Sequence, residues 1–359
     1  MQSEDKNRKN PKVTVLMPVY NGVLYLEEAI ESILNQTFSD FEFLIIDDAS
    51  TDHSLEMIRS YNDSRIRLVQ NKKNIGQTAS LNKGLHLARG EFIARLDQDD
   101  VSLLERLKEQ VEYLDRHPEI TIVSTWEETI TSTGRKVREW KREIENYGDF
   151  LGYILLGLCP VWHPSVMFRK DNILKLGCFD TTYGPAEDYE LWGRIAINRM
   201  GAAFVPKILV QQRVHEARQS VLHNDKQVDS TKRSHRNFVK RFAKKDKIDD
   251  LAAVLRLDDN LNGLKNRKKS FIKIAGDLAT MLESIKTEQN LSEREVKALK
   301  KRIYRRVGYG FRYVKFIAFL PGMMFLPIFY CLSPLLIPQV KGRVSTLYKN
   351  IQKLKSSFT

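Results

Sequence analysis

Between residues 12 and 125 the chain alternates short apolar runs with segments whose apolar positions recur every three or four residues. The runs are VTVLMPV from Val13, FEFLIID from Phe41, IRLVQ from Ile66, EFIARLD from Glu91 and ITIVST from Ile120. Such runs suit strands buried on both faces, and the helical period appears near Leu24–Asn35, Ser54–Tyr61, Thr78–Ala88 and Leu103–Arg116. Strand and helix in alternation predict an α/β fold with a mostly parallel sheet. From Asn146 to His215 the pattern is more mixed, with HPSVMFR reading as a strand and EDYELWGRIAINR as a helix. Beyond Gln219, as far as Val307, it is mostly helical and heavily charged. Ser292 and Glu295 have the spacing of a capping box and predict a helix start.

In open α/β sheets ligands bind at the carboxyl ends of the strands. Polar residues gather there: Tyr20 and Asn21 after the first run, Asp47 and Asp48 after the second, Asn74 and Gly76 after the third, and Asp97, Asp99 and Asp100 after the fourth. Carboxylates sharing one loop repel each other and resist burial, and a divalent cation removes the conflict. Hard oxygen ligands completed by a diphosphate suit Mg²⁺ or Mn²⁺. LDQDD therefore reads as the seat of a metal-bound nucleotide; the alternative is an acidic turn capping the helix that follows.

Composition adds a second theme. With 359 residues, 42% of them hydrophobic, the chain can bury the core of one large or two moderate domains. Its net charge of +13 is concentrated: from Val296 to the end there are thirteen basic residues and no acid. That asymmetry predicts an anionic surface as partner. Within the tail, FIAFLPGMMFLPIFYCLSPLLI (residues 316–337) is uncharged and about as long as a bilayer core is thick. This favours a membrane over nucleic acid. Pro321, Pro327 and Pro334 argue against a straight spanning helix, so re-entrant and interfacial attachment stand beside spanning, with a buried apolar hairpin as the alternative. The polar N-terminus MQSEDKNRKN does not read as a secretory signal. Cys159, Cys178 and Cys331 show no ligand or disulfide spacing and read as small buried residues in a reducing compartment. The expected location is the cytoplasmic face of a membrane.

Six segments, VTVLMPVYNG, TFSDFEFLIIDDASTDHS, NKKNIGQTASLNKGL, GEFIARLDQDD, HPSVMFRK and GPAEDYELWGRI, together resemble the family 2 glycosyltransferases of the GT-A fold, in consistent order over Lys12 to His215. The resemblance implies that Pro18, Tyr20 and Asn21 pack against a nucleotide, and that Asp48 accepts a hydrogen bond from the base beside Asp47. Asn74, Gly76 and Asn82 would complete the donor pocket, with Asp97 and Asp99 as the D-x-D element and Asp100 as a possible direct metal ligand. It also implies Asp188 as the base that takes the acceptor's proton, Glu187 as its neighbour, and His215 close to the metal. His163, Trp162 and Trp192 are candidates for sugar contacts, though a lone His is more often packed and Trp192 falls in a helical pattern. Processive members carry Q-x-x-R-W after the base; QQRVH here lacks the Trp, implying one sugar per encounter.

The resulting division is a polar tail (1–11), a glycosyltransferase domain (12–215, with a nucleotide half 12–125 and an acceptor half 126–215), a charged helical region (216–307) and a basic apolar tail (308–359). The expected activity is metal-dependent, inverting transfer from a nucleotide-sugar, by default a UDP-sugar, to a lipid-linked or surface-glycan acceptor. Two rivals are a nucleotidyltransferase and a membrane-bound basic scaffold. The first would want a Gly-rich basic loop where PVYNGVLYLEE stands, and the second an aromatic-interleaved basic face.

Overall fold

In the computed structural model the described residues are 10–216, 218, 224–256 and 270–317. The apolar tail after Ile317, including Cys331, lies outside them. Among the described residues no helix is long and apolar enough to cross a membrane.

The first half is built from β1 (Val13–Val19), α1 (Val23–Leu34), β2 (Phe41–Asp47), α2 (Ser54–Ser60), β3 (Ile66–Gln70), α3 (Gln77–Leu87) and β4 (Phe92–Arg95). After them come β5 (Val101–Ser102), α4 (Arg106–Arg116), β6 (Ile120–Thr131), β7 (Lys136–Trp140), α5 (Tyr147–Leu155), β8 (Met167–Arg169), α6 (Lys170–Lys175), α7 (Glu187–Ile197) and β9 (Gly201–Val214). One sheet runs in the order β3-β2-β1-β4-β8-β6-β9-β5, with β7 on β6. Strands β3, β2, β1 and β4 are mutually parallel, whereas β8 joins β4 and β6 antiparallel.

Every residue of β1 and β2 is buried, which is why these strands read as continuous apolar runs and not as alternating ones. Register brings the carboxyl ends level: Val19 lies opposite Asp47, and Asp47 opposite Gln70. On α1 the buried residues Leu26, Ala29, Ile30 and Ile33 form one stripe against the core. Each fully buried Leu or Ile there contributes about 1.5–3 kcal/mol. Gly84 lets α3 close on β1, since a Cβ there would fall 2.3 Å from Leu16 Cδ1.

Chain order reverses about β1: β2 and β3 lie on one side and β4 on the other, which leaves a crevice between the ends of β1 and β4. Gln98 bridges its mouth, accepting from the Tyr20 backbone N at 2.8 Å and donating to the Tyr20 carbonyl at 3.1 Å.

Two expected elements differ in extent. The helix expected from Leu103 starts at Arg106, because Val101 and Ser102 pair with β9 and the Leu103 N donates to the Leu209 carbonyl. HPSVMFR is a strand only from Met167; His163–Ser165 is a 3₁₀ turn around Pro164.

Helices α8 (Asn224–Phe242), α9 (Ile248–Arg256), α10 (Ser270–Glu288) and α11 (Glu293–Ile317) follow β9. Up to Leu299 the chain forms one compact unit, and a second unit begins at Lys300. Within the first, Phe238, Val239 and Phe242 of α8 are buried, and the buried His235 ring is 2.8 Å from the Leu155 carbonyl at the end of α5. Ser292 N donates to Glu295 Oε2 and Glu295 N to Ser292 Oγ, the reciprocal capping-box bonds at the start of α11.

Candidate active site

Strand β4 delivers Arg95 and stops. Leu96 still donates to the Leu16 carbonyl, so the acids that follow hang over the crevice beside β1. One carboxylate oxygen from each of Asp97, Asp99 and Asp100 lies within 4.8 Å of the other two. Asp97 is held from β4 and α3, and Asp99 and Asp100 from the end of β9. Asp97 Oδ1 accepts from Arg95 Nη2 at 2.6 Å and from Gln77 Nε2 at 3.2 Å. Asp99 Oδ2 is 2.8 Å from His215 Nε2. Asp100 Oδ1 accepts from the Arg213 backbone N at 2.9 Å, while its buried Oδ2 has no partner.

Burial, then repulsion from Asp99 and Asp97, pushes the Asp100 carboxyl well above the usual range. Burial and Asp97 also raise Asp99, against the pull of His215. Three clustered carboxylates that resist joint ionisation, one with an orphaned buried oxygen, fit the donor set of a hard divalent cation.

Two arginines complete this corner. Arg95 is almost fully buried, and its Nε and Nη1 have no hydrogen-bond partner. Arg213 donates through Nε to the Asp99 carbonyl at 3.1 Å and through Nη2 to Glu28, and its guanidinium sits 4.8 Å from the Tyr25 ring. That ring also faces His215, with 4.9 Å between centroids. Neither arginine stood among the expected site residues, although a charge inside the apolar run FIARLD was a visible signal for Arg95.

On the β1–β2 side, Pro18 is buried opposite Ile46 and Tyr20 is exposed at the crevice. Asn21 has φ 50, and its Oδ1 accepts from the Thr51 backbone N at 2.8 Å, joining the first two loops. Asp47 is wholly buried, with Oδ2 unpartnered and Oδ1 accepting from Ser50 N at 3.3 Å.

The nearly buried Asp48 accepts from Asn71 Nδ2 at 2.7 Å, Ile75 N at 2.9 Å and Gly76 N at 2.8 Å. These three bonds fix the Asp48 carboxylate in the wall of the crevice and leave it acceptor capacity. Gly76, at φ 88, permits the turn, and Asn74 Oδ1 supports it by accepting from Gly76 N. The Asn82 side-chain amide donates to the Phe179 carbonyl at 2.8 Å and accepts from Phe179 N at 2.9 Å, so it tethers α3 to the second half.

At the start of α7, Glu187 is buried and Asp188 half-buried. Burial, then repulsion from Asp188, pushes Glu187 up to about 7. Burial likewise raises Asp188, against its bond from Tyr189 N and the charge of Arg95. The charges of Arg95 and Asp97 reach both, so the acid loop and this helix end share one electrostatic neighbourhood. Cys159 Sγ is 3.9 Å from Asp188 Oδ2 and is only partly buried, unlike Cys178. Burial and Arg95 hold His163 neutral, with its ring against Phe179 and Trp192. Trp192 is fully buried, so it serves the core and not a sugar, because its ring has no face open to solvent.

Residues 14–177 match the profile of Glycosyl transferase family 2. An uncharacterized glycosyltransferase of Methanocaldococcus jannaschii is 35% identical over 208 residues, 57% of this chain and 71% of that protein. One from Haemophilus influenzae is 30% identical over 252 residues, 67% and 76% of the two chains. Among solved structures, S. aureus TarS 1–349 in complex with UDP-GlcNAc superposes with a TM-score of 0.57 at 20% identity, covering 86% of this chain and 91% of that one. The mannosyltransferase PcManGT of Pyrobaculum calidifontis, in complex with GDP-Man and Mn²⁺, gives 0.53 at 21% identity, covering 86% and 88%. At such identities the structures speak to the fold, which is GT-A-like. The relatives in sequence carry the argument further: this chain belongs to the family 2 glycosyltransferases.

Proposed function

We propose that the chain transfers one sugar per encounter from a nucleotide-sugar, by default a UDP-sugar, with inversion and metal dependence, to a lipid-linked or surface-glycan acceptor. The observation that carries this reading is the acid cluster at the end of β4, with the orphaned Oδ2 of Asp100, in electrostatic reach of Glu187 and Asp188. TarS in complex with UDP-GlcNAc, and PcManGT in complex with GDP-Man and Mn²⁺, support it by fold.

In an inverting step the acceptor oxygen forms a bond to the anomeric carbon as the bond to diphosphate breaks. Asp188 takes the acceptor's proton, and Glu187 keeps its position. Asp97, Asp99, Asp100 and His215 would hold Mn²⁺ or Mg²⁺, which when bound supplies positive charge against the leaving diphosphate. The walls built by Tyr20, Asn21, Asp47, Asp48, Asn74 and Gly76 receive the nucleotide.

Attachment to the cytoplasmic face of a membrane is part of the proposal. It rests on the basic, acid-free tail and its apolar stretch at 316–337. The test is a panel of sugar nucleotides assayed for released nucleoside diphosphate with Mn²⁺, Mg²⁺ or EDTA. One donor should turn over only with metal; turnover undiminished in EDTA would sink the metal reading.

A further inference from the structure

Three of the protein's four tryptophans, Trp126, Trp140 and Trp162, lie on or beside the β6–β7 hairpin. In the pairing, Glu127 lies opposite Trp140 and Thr129 opposite Arg138. Arg138 and Trp140 therefore share the face on which Glu127 is buried. Trp140 Nε1 donates to Thr129 Oγ1 at 3.0 Å, which fixes its ring, and the Arg138 guanidinium lies 3.4 Å from the ring centroid. Trp162 is next, 6.3 Å from Trp140 between centroids, with the Arg142 guanidinium 4.8 Å from its ring.

The patch leads to the reacting end of α7. Arg142 donates to the Cys159 carbonyl, and Cys159 Sγ lies 3.9 Å from Asp188 Oδ2. Its charges are not equivalent. Lys136 is paired with Glu128 and Glu139, and Lys141 with Glu139. Among the described residues Arg138 and Arg142 pair with no carboxylate; they are held against indoles instead.

We propose that this patch is the acceptor subsite, and that it takes a saccharide carrying an anionic group, a carboxylate or a phosphodiester, close to the hydroxyl that receives the sugar. An indole face packs against the apolar C–H face of a pyranose. A guanidinium fork matches either anion in bidentate fashion, and one already stacked on a ring has less freedom to lose. The inference rests on reading Asp188 as the base, because that residue fixes where the acceptor hydroxyl must come.

The experiment follows intrinsic tryptophan fluorescence while the full chain is titrated with tetragalacturonate, with a glycerol phosphodiester tetramer, or with maltotetraose as the neutral control. Trp140→Phe should abolish the change, which ties the signal to the patch. One or both anionic probes should bind saturably, with affinity that weakens as salt is added, and Arg138→Gln should weaken that binding on the order of tenfold. Which anionic probe binds more tightly tells carboxylate from phosphodiester. Equal binding of maltotetraose, binding of neither anionic probe, or unchanged affinity in Arg138→Gln would overturn the proposal. A parallel titration of the wild type with UDP and Mn²⁺ reads the donor site separately, so failure there leaves the patch result standing.

Discussion

The buried oxygen of Asp100 makes a stability prediction with a definite sign. Its folded-state pKa is raised well above the ordinary 3.8 by burial and by Asp99 and Asp97. The protonated form is therefore the one the metal-free fold favours. Stability from this group is fully present below the unfolded pKa and is lost as pH rises through the folded value. Asp100→Asn keeps the acceptor for Arg213 N and removes the charge, so without metal its melting temperature at pH 7 should exceed wild type by a few °C. The gain should vanish below about pH 4, and the rise that Mn²⁺ gives the wild type should be absent. A lower melting temperature at pH 7 without metal would show that the cluster is not under repulsion. Asp188 supplies a second test at this scale. Burial raises its pKa, so the acid limb of kcat/KM should lie above the ordinary aspartate range of about 3.9, as a pH profile would show.

At the scale of elements, the tethers between loops explain what the sequence could and could not show. The strand runs and the four helices of the first half were legible because burial on both faces and the helical period are local signals. Asp48 and Asn82 were not: the partners of Asp48 are Asn71, Ile75 and Gly76 across a loop, and those of Asn82 are the two backbone groups of Phe179, 97 residues away. Long strand β9, broken in pattern by Pro206, was likewise hidden until its pairing with β6 showed where it lies. Asn82→Ala removes both bonds to Phe179 and should cost on the order of 1–3 kcal/mol, read as a lowered urea midpoint. A fall in stability with UDP affinity in Mn²⁺ little changed would make the tether its main role; a selective loss of UDP affinity at unchanged stability would make Asn82 a donor-pocket residue. The capping box behaves more simply. Ser292→Ala should cost about 1 kcal/mol in the same measurement.

For the whole molecule, the α/β layer and the helices up to Leu299 form one compact unit, so a truncation that tests membrane attachment has to spare them. Removal of residues 318–359 takes away most of the apolar stretch and five basic residues. Those charges contribute about 1 kcal/mol each near an anionic surface. The shortened chain should therefore fail to sediment with anionic vesicles that retain the full chain; sedimentation unchanged in high salt would contradict attachment through the tail. In the proposed reaction one half of the fold holds a metal-bound donor while the end of α7 takes the acceptor's proton, and Asp188→Asn separates the two. The decisive measurement is the turnover of Asp188→Asn beside its affinity for UDP with Mn²⁺. Affinity should stay close to wild type and kcat should fall by about 10²–10⁴, with kcat/KM falling alongside. Turnover at the wild-type rate would contradict this division of roles, as would a loss confined to UDP binding.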